Sequence, residues 1–159
     1  IYLFKKYKIN NNSNIMAKSF SDCELSGREK YERNTHLPHE FMGQNDPWDV
    51  SSSAILETYN IEIKDRDILY TKYARQGYWL EKLKYDALMA AYQETGSIPI
   101  YLNFFRNNIG YYWDLRKAEP KWVWKEATKT TANGTYGEEK AWKLVTFLYP
   151  IEGRRFKYV

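Results

Sequence analysis

The chain has 159 residues, a net charge of +4 and one cysteine, with 43% apolar and 18% aromatic content. That length is enough to bury a core without disulfides, and the aromatic content excludes a disordered segment. No apolar run approaches the roughly 18 residues of a membrane span, and a lone cysteine permits no internal disulfide, so the expected setting is the reducing cytoplasm.

The Lys- and Asn-rich residues 1–15 precede Met16-Ala17-Lys18, which reads as a translation start. They are taken as a disordered leader, and 16–159 as a single folded domain. Asp22 to Arg33 holds good helix formers behind Ser21 or Asp22 as a cap, with Gly27 as its weak point, and Cys23 is read as inert packing. Residues 35–47, with two His, two Pro, Gly43 and Asn45-Asp46, read as loop.

Trp48 to Leu56 and Asn60 to Asp65 are short extended stretches, the pattern of an antiparallel hairpin. Alternation along the second puts Ile61 and Ile63 on one face and Glu62 and Lys64 on the other, joined by Arg66 if the strand continues. Between Tyr78 and Thr95, Leu80, Leu83, Ala87, Leu88 and Ala91 recur at helical spacing, and Gly96 stands where a helix stop belongs. Ile98, Ile100, Leu102 and Phe104 then alternate as a strand. Asn107-Asn108-Ile109-Gly110 supplies turn chemistry before Tyr111 to Leu115, giving a second hairpin.

From Lys117 onward, Trp122, Trp124 and Trp142 mix with Lys121, Lys125, Lys129, Arg154, Arg155 and Lys157. A flexible Thr130–Thr135 loop interrupts this region, and Trp142 to Leu148 reads as either helix or strand. No internal repeat or second domain is visible.

Hairpin pairing brings Asp49 beside Glu62 and Lys64. Two carboxylates able to share a hard cation, with an ammonium alongside, are what metal-assisted attack on a phosphodiester requires. Pro47-Trp48-Asp49 followed by Ile61-Glu62-Ile63-Lys64 resembles the PD-(D/E)xK nuclease superfamily over roughly residues 22–115. Its spacing is similar to that of resolvase-like and of phage or restriction-type members.

The resemblance implies an α/β (α+β) fold with a restriction-endonuclease-like core. That core runs helix, three-strand meander, helix, strand, with a central mixed sheet of about four to five strands flanked by helices. It also implies Mg²⁺- or Mn²⁺-dependent hydrolysis of DNA. Asp49, Glu62 and the Ile63 carbonyl would be the metal ligands, and Lys64 the electrostatic partner of the attacking water. Members often add a first-helix Glu, for which Glu24, Glu29 and Glu32 compete, with Glu29 preferred. Arg66, Lys82 and Lys84 are the candidate DNA contacts. DNA is the expected partner, homodimer formation is left open, no membrane is involved, and a phage-encoded chain would act in the host cytoplasm. The family's Pro-Asp pair is interrupted by Trp48, and Asp46 before Pro47 offers a competing acid. Asp49 is preferred because it is read as lying inside the strand.

A Glu-x-Lys triplet alone is common on solvated strands, where it amounts to cross-strand salt bridges of about 0.2–1 kcal/mol each. The surrounding order of elements favours the catalytic reading. His36, His39 and Cys23 fall short of a four-ligand zinc set, and the absence of any His after residue 39 argues against a ββα-metal nuclease. Tyr101, Phe104, Phe105, Tyr111, Tyr112 and Trp113 read as core rather than a base-stacking platform. The rival readings are a non-catalytic nucleic-acid binder on the same fold and a phage structural protein.

Overall fold

The computed structural model describes residues 20–43, 45–130 and 136–159. The expected leader, the Cys23 side chain and nearly all of the 130–135 loop lie outside the described residues. The chain runs α1 (Phe20–Asn34), β1 (His39–Phe41), β2 (Val50–Ser53), β3 (Thr58–Arg66), β4 (Tyr78–Glu81), α2 (Lys82–Thr95), β5 (Ile98–Phe105), β6 (Ile109–Asp114), β7 (Val123–Thr130), β8 (Tyr136–Leu148) and β9 (Arg154–Lys157).

The fold is α+β, built on a six-stranded mixed sheet ordered β1-β2-β3-β5-β6-β9, with a three-stranded sheet β4-β8-β7 beside it. The central sheet is thus wider than the four to five strands expected. Within it β3 and β5 run parallel, and every other neighbouring pair is antiparallel. Helix α1, the meander β1-β2-β3, helix α2 and strand β5 come in the order that the resemblance implies, with β4 inserted before α2.

Both faces of the β3–β5 centre are covered. All eight residues of β5 are buried, because a parallel pair needs a crossover that roofs one face while α1 roofs the other. The alternation read from Ile98, Ile100, Leu102 and Phe104 therefore marks one of two apolar faces. Those four join Tyr31, Ile61, Ile63 and Tyr158 in the core on the α1 side. Tyr101 and Phe105 join Tyr78, Leu80, Leu88, Trp113 and Leu148 on the α2 side.

Gly27 allows α1 to approach this closely, since a Cβ there would lie 3.0 Å from Ile63 Cγ2 and 3.6 Å from Asp65 Cβ. The glycine that weakens the helix locally is the one that seats it on β3. Gly96 ends α2 in the left-handed conformation (φ 77°), its N–H returning to the Tyr92 carbonyl at 2.9 Å.

Two stretches differ from the sequence reading, and a third, left open between helix and strand, is resolved. The 35–47 loop contains β1, a short edge strand held by antiparallel pairing to β2, a long-range partner that local composition does not reveal. The helix expected from Tyr78 begins only at Lys82. Residues 78–81 form β4 against β8, so Leu80 is buried from a strand, and Leu83, counted on the apolar stripe, is 81% exposed. Trp142 to Leu148 is strand.

Gly27→Val should lower stability by about 1–3 kcal/mol through overpacking against Ile63 and Asp65, as read by urea denaturation.

Candidate active site

The β2–β3 ladder ends at the pair Val50–Ile61, beyond which no strand among the described residues pairs with this edge of β3. Asp49 sits at that point, immediately before β2 and not inside it as expected. Its N–H still donates to the Ile61 carbonyl at 3.0 Å. Its Oδ2 accepts the next available amide, the Ile63 N–H, at 2.7 Å, so a carboxylate takes the place of a further ladder rung. Alternate residues of a strand direct N–H and C=O to one edge, so the Ile63 carbonyl opens on the same side. The competing Asp46 is exposed and accepts from the Gly43 N–H instead, closing its own loop.

Glu62 is fully buried on the α2 side of the sheet. Lys64, two residues along the same face, places Nζ 2.7 Å from Glu62 Oε1. From α2, Lys84 places Nζ 3.1 Å from Oε2. Burial alone would raise the Glu62 pKa, but the two ammonium groups outweigh it and hold the carboxyl below its ordinary range. Desolvation works against the Lys64 charge as well, yet Glu62 chiefly, then Tyr101 and Asp49, hold that pKa above its usual value.

Asp49 shows the opposite balance. Burial first, then the Glu62 charge, push its pKa up to about 6 against the opposing pull of Lys64, the Ile63 N–H and Lys84. The two acids are thus set apart, Glu62 firmly ionised and Asp49 close to neutrality in its affinity for a proton.

The remaining candidates separate by helical phase. On α1, residues 24, 27, 28 and 31 share the face turned to the sheet, whereas Glu29 and Glu32 are exposed. The preference for Glu29 is corrected accordingly. Arg28 reaches the site instead, with Nη2 3.9 Å from Asp49 Oδ1 and 3.8 Å from Glu24 Oε1, and with its guanidinium 5.5 Å from the Phe41 ring centre.

Lys82 and Lys84 lie about 200° apart around α2, and only Lys84 meets Glu62. Lys82 pairs with Asp86 at 2.6 Å and lies 5.2 Å over the Trp122 ring. Arg66 does fall on the Glu62 face, as strand parity requires, but its guanidinium is committed to the frame. It donates to Asn103 Oδ1, to the Tyr101 hydroxyl at 2.8 Å and to the Trp79 carbonyl at 3.4 Å.

The sequence reading missed Arg28 and Asn103. Arg28 carries a weak signal, its four-residue spacing from Glu24 on a helix. Asn103 carries a stronger one, a lone amide in Ile-Pro-Ile-Tyr-Leu-Asn-Phe-Phe. It pairs in register with Lys64, is fully buried, and leaves Nδ2 without a hydrogen-bond partner among the described residues.

The site therefore has an acidic floor of Asp49 and Glu62 under a rim of Lys64, Lys84 and Arg28. Among the described residues no three Asp, Glu, His or Cys side chains gather into a metal cluster. Two carboxylates and a strand-edge carbonyl nevertheless fit Mg²⁺, which takes one or two carboxylates and keeps much of its water. The elevated Asp49 pKa reflects mutual repulsion, in part, that a cation between the acids would relieve.

No family model matches the chain, and no curated protein matches it. Among solved structures it is similar to Hjc of Archaeoglobus fulgidus, a Holliday junction resolvase from an archaeal hyperthermophile. The identity is 13% and the TM-score 0.44, over 59% of this chain and 76% of that one. Among the described residues no helix is long and apolar enough to cross a membrane.

Because the folded-state pKa of Asp49 lies above its ordinary 3.8, the native state holds the extra proton between 3.8 and about 6, and stability falls as pH rises through that window. Asp49→Asn keeps an acceptor for the Ile63 amide without the charge. In EDTA it should be more stable than the parent by about 1–3 kcal/mol above pH 6, a gain that vanishes below pH 4. Urea denaturation at both extremes measures the difference.

Proposed function

We propose that the chain hydrolyses DNA phosphodiester bonds with the help of a divalent cation, as one nuclease-like domain over 16–159 acting in the cytoplasm. The observation that carries this reading is the pairing of a fully buried Glu62, ionised between two lysines, with Asp49 anchored through the amide of the intervening Ile63. A solvated salt bridge has no need of that burial, which costs several kcal/mol per ion unless well compensated.

Asp49, Glu62 and the Ile63 carbonyl would hold Mg²⁺ or Mn²⁺. When bound there, such a cation supplies an acidified water and offsets charge on the phosphate. The chain's own groups do the rest. Lys64, 40% exposed, presents an ammonium to the scissile phosphate as a fixed point charge and orients the attacking water. Lys84 keeps Glu62 ionised from the far side and adds to the field drawing in the DNA backbone. Arg28 offsets Asp49 at the sheet edge. Arg66 serves this site from behind, fixing Asn103 and Tyr101 in place.

A second reading, a nucleic-acid-binding domain without catalysis, is favoured by one observation: both Glu62 oxygens are already engaged by lysines. Incubation with plasmid, single-stranded and branched DNA in Mg²⁺, Mn²⁺ or EDTA separates the two. Cleavage should require metal and fall by about 10²–10³-fold or more in Lys64→Ala and Glu62→Gln. Undiminished cutting by Lys64→Ala sinks the catalytic assignment. Salt-sensitive binding without cutting establishes the second reading.

A further inference from the structure

Strands β7 and β8 form a long antiparallel ribbon in which Trp124 pairs with Leu144 and Glu126 with Trp142. Trp124 and Trp142 are thus diagonal neighbours on one face of the ribbon, a separation that long aromatic side chains can span. They are 62% and 66% exposed. Indoles carry large apolar area and are ordinarily buried, so two side by side in solvent mark a surface with an occupant.

The face continues in two directions. Toward β4, the pairs Leu80–Thr146 and Tyr78–Leu148 carry it into the α2-side core. Toward the candidate active site, Trp122 packs edge-on against Tyr85 of α2 with ring centres 5.3 Å apart, and the Lys82 ammonium lies over it. One residue beyond Lys82 and Leu83 is Lys84, the ammonium on Glu62. The first turn of α2 thus lies between the indole row and the site, with Lys82 on one side of the helix and Lys84 on the other.

The charges around the row distinguish between occupants. Lys140, 64% exposed, lies on the indole face beside Trp142, and Lys121 is exposed at the root of the ribbon. Among the described side chains Glu126 is the acid set beside these lysines, and it is paired with Lys140 at 2.9 Å. Flat π surfaces interleaved with ammonium groups complement bases and phosphates, whereas a stable protein interface calls for a broader apolar core than two indoles with a lysine rim.

We infer that the β7–β8 ribbon is a stacking platform for single-stranded nucleic acid. Unpaired bases lie on Trp124 and Trp142, and the backbone tracks past Lys140 and Lys121 toward α2. The inference rests on the proposed function only for where the strand leads.

Binding of a fluorescein-labelled oligothymidylate to the full chain in EDTA, followed by anisotropy, tests the platform without any cleavage. Both indoles are solvent-exposed, so the double variant Trp124→Ala/Trp142→Ala retains the core. It should bind at least about 30-fold more weakly than the parent, while Trp124→Phe/Trp142→Phe recovers most of the loss. Loss of binding in the alanine pair upholds the platform even if the parent cuts nothing in Mg²⁺ or Mn²⁺, an outcome that refutes the nuclease reading alone. The platform is overturned if the parent ignores the oligonucleotide or the alanine pair binds it equally well. It is also overturned if sedimentation shows the indoles holding two copies of the chain together.

Discussion

The ionised Glu62 carboxylate, sealed in the sheet and met by one ammonium from its own strand and another from α2, is the interaction on which the structure turns. A buried carboxylate without partners would cost several kcal/mol or take up a proton. Lys64 and Lys84 prevent both, at 2.7 and 3.1 Å. Lys84 can do so only if α2 crosses β3 where it does, so helix placement and site assembly depend on one contact. The apolar packing of Leu88, Tyr101 and Leu80 beside it fixes the crossing. The carboxylate then demands a particular helical phase, which explains why Lys84 and not Lys82 faces the sheet.

The sheet edge supplies the second acid by a different device. Where β2 stops, β3 would leave an orphan amide at Ile63, and the Asp49 carboxylate accepts it at 2.7 Å. One backbone hydrogen bond thus ties the Asp49 carboxylate to the residue next to Glu62. The geometry holds Asp49 in a dry, anionic setting against its own preference, the kind of local cost that sites of chemistry commonly carry.

Strand parity was the most legible part of the design. Period-two alternation in Asn60–Asp65 correctly put Glu62 and Lys64 on one face, and the extension of β3 to Arg66 follows the same rule. The stop at Gly96 and the turn at Asn107 and Asn108, both at positive φ, were equally readable because each is set by local backbone chemistry. Long-range pairing was hidden. β1 and β4 are only three and four residues long and exist because β2 and β8 hold them, so composition alone assigned one to a loop and the other to a helix. Glu29 was chosen without knowledge of which side of α1 meets the sheet, and the answer lay in Gly27, whose missing side chain marks the contact face. Arg66 shows a further limit, since parity gives the face of a side chain and not what its end group will hold.

The parallel pairing of β3 with β5 bears on how the molecule comes into being. These strands are separated by β4 and α2, so closing them requires the whole crossover to be in place, a slow, non-local event compared with hairpin formation. Until Ile98–Phe105 docks, β3 lacks the neighbour whose Tyr101 lies opposite Glu62. A nascent chain carrying only α1 and the first meander would hold both acids but leave Glu62 without Lys84 and without the cover of β5 and α2. The sealed, lysine-paired state of Glu62 would arrive late and all at once, coupled to completion of the core.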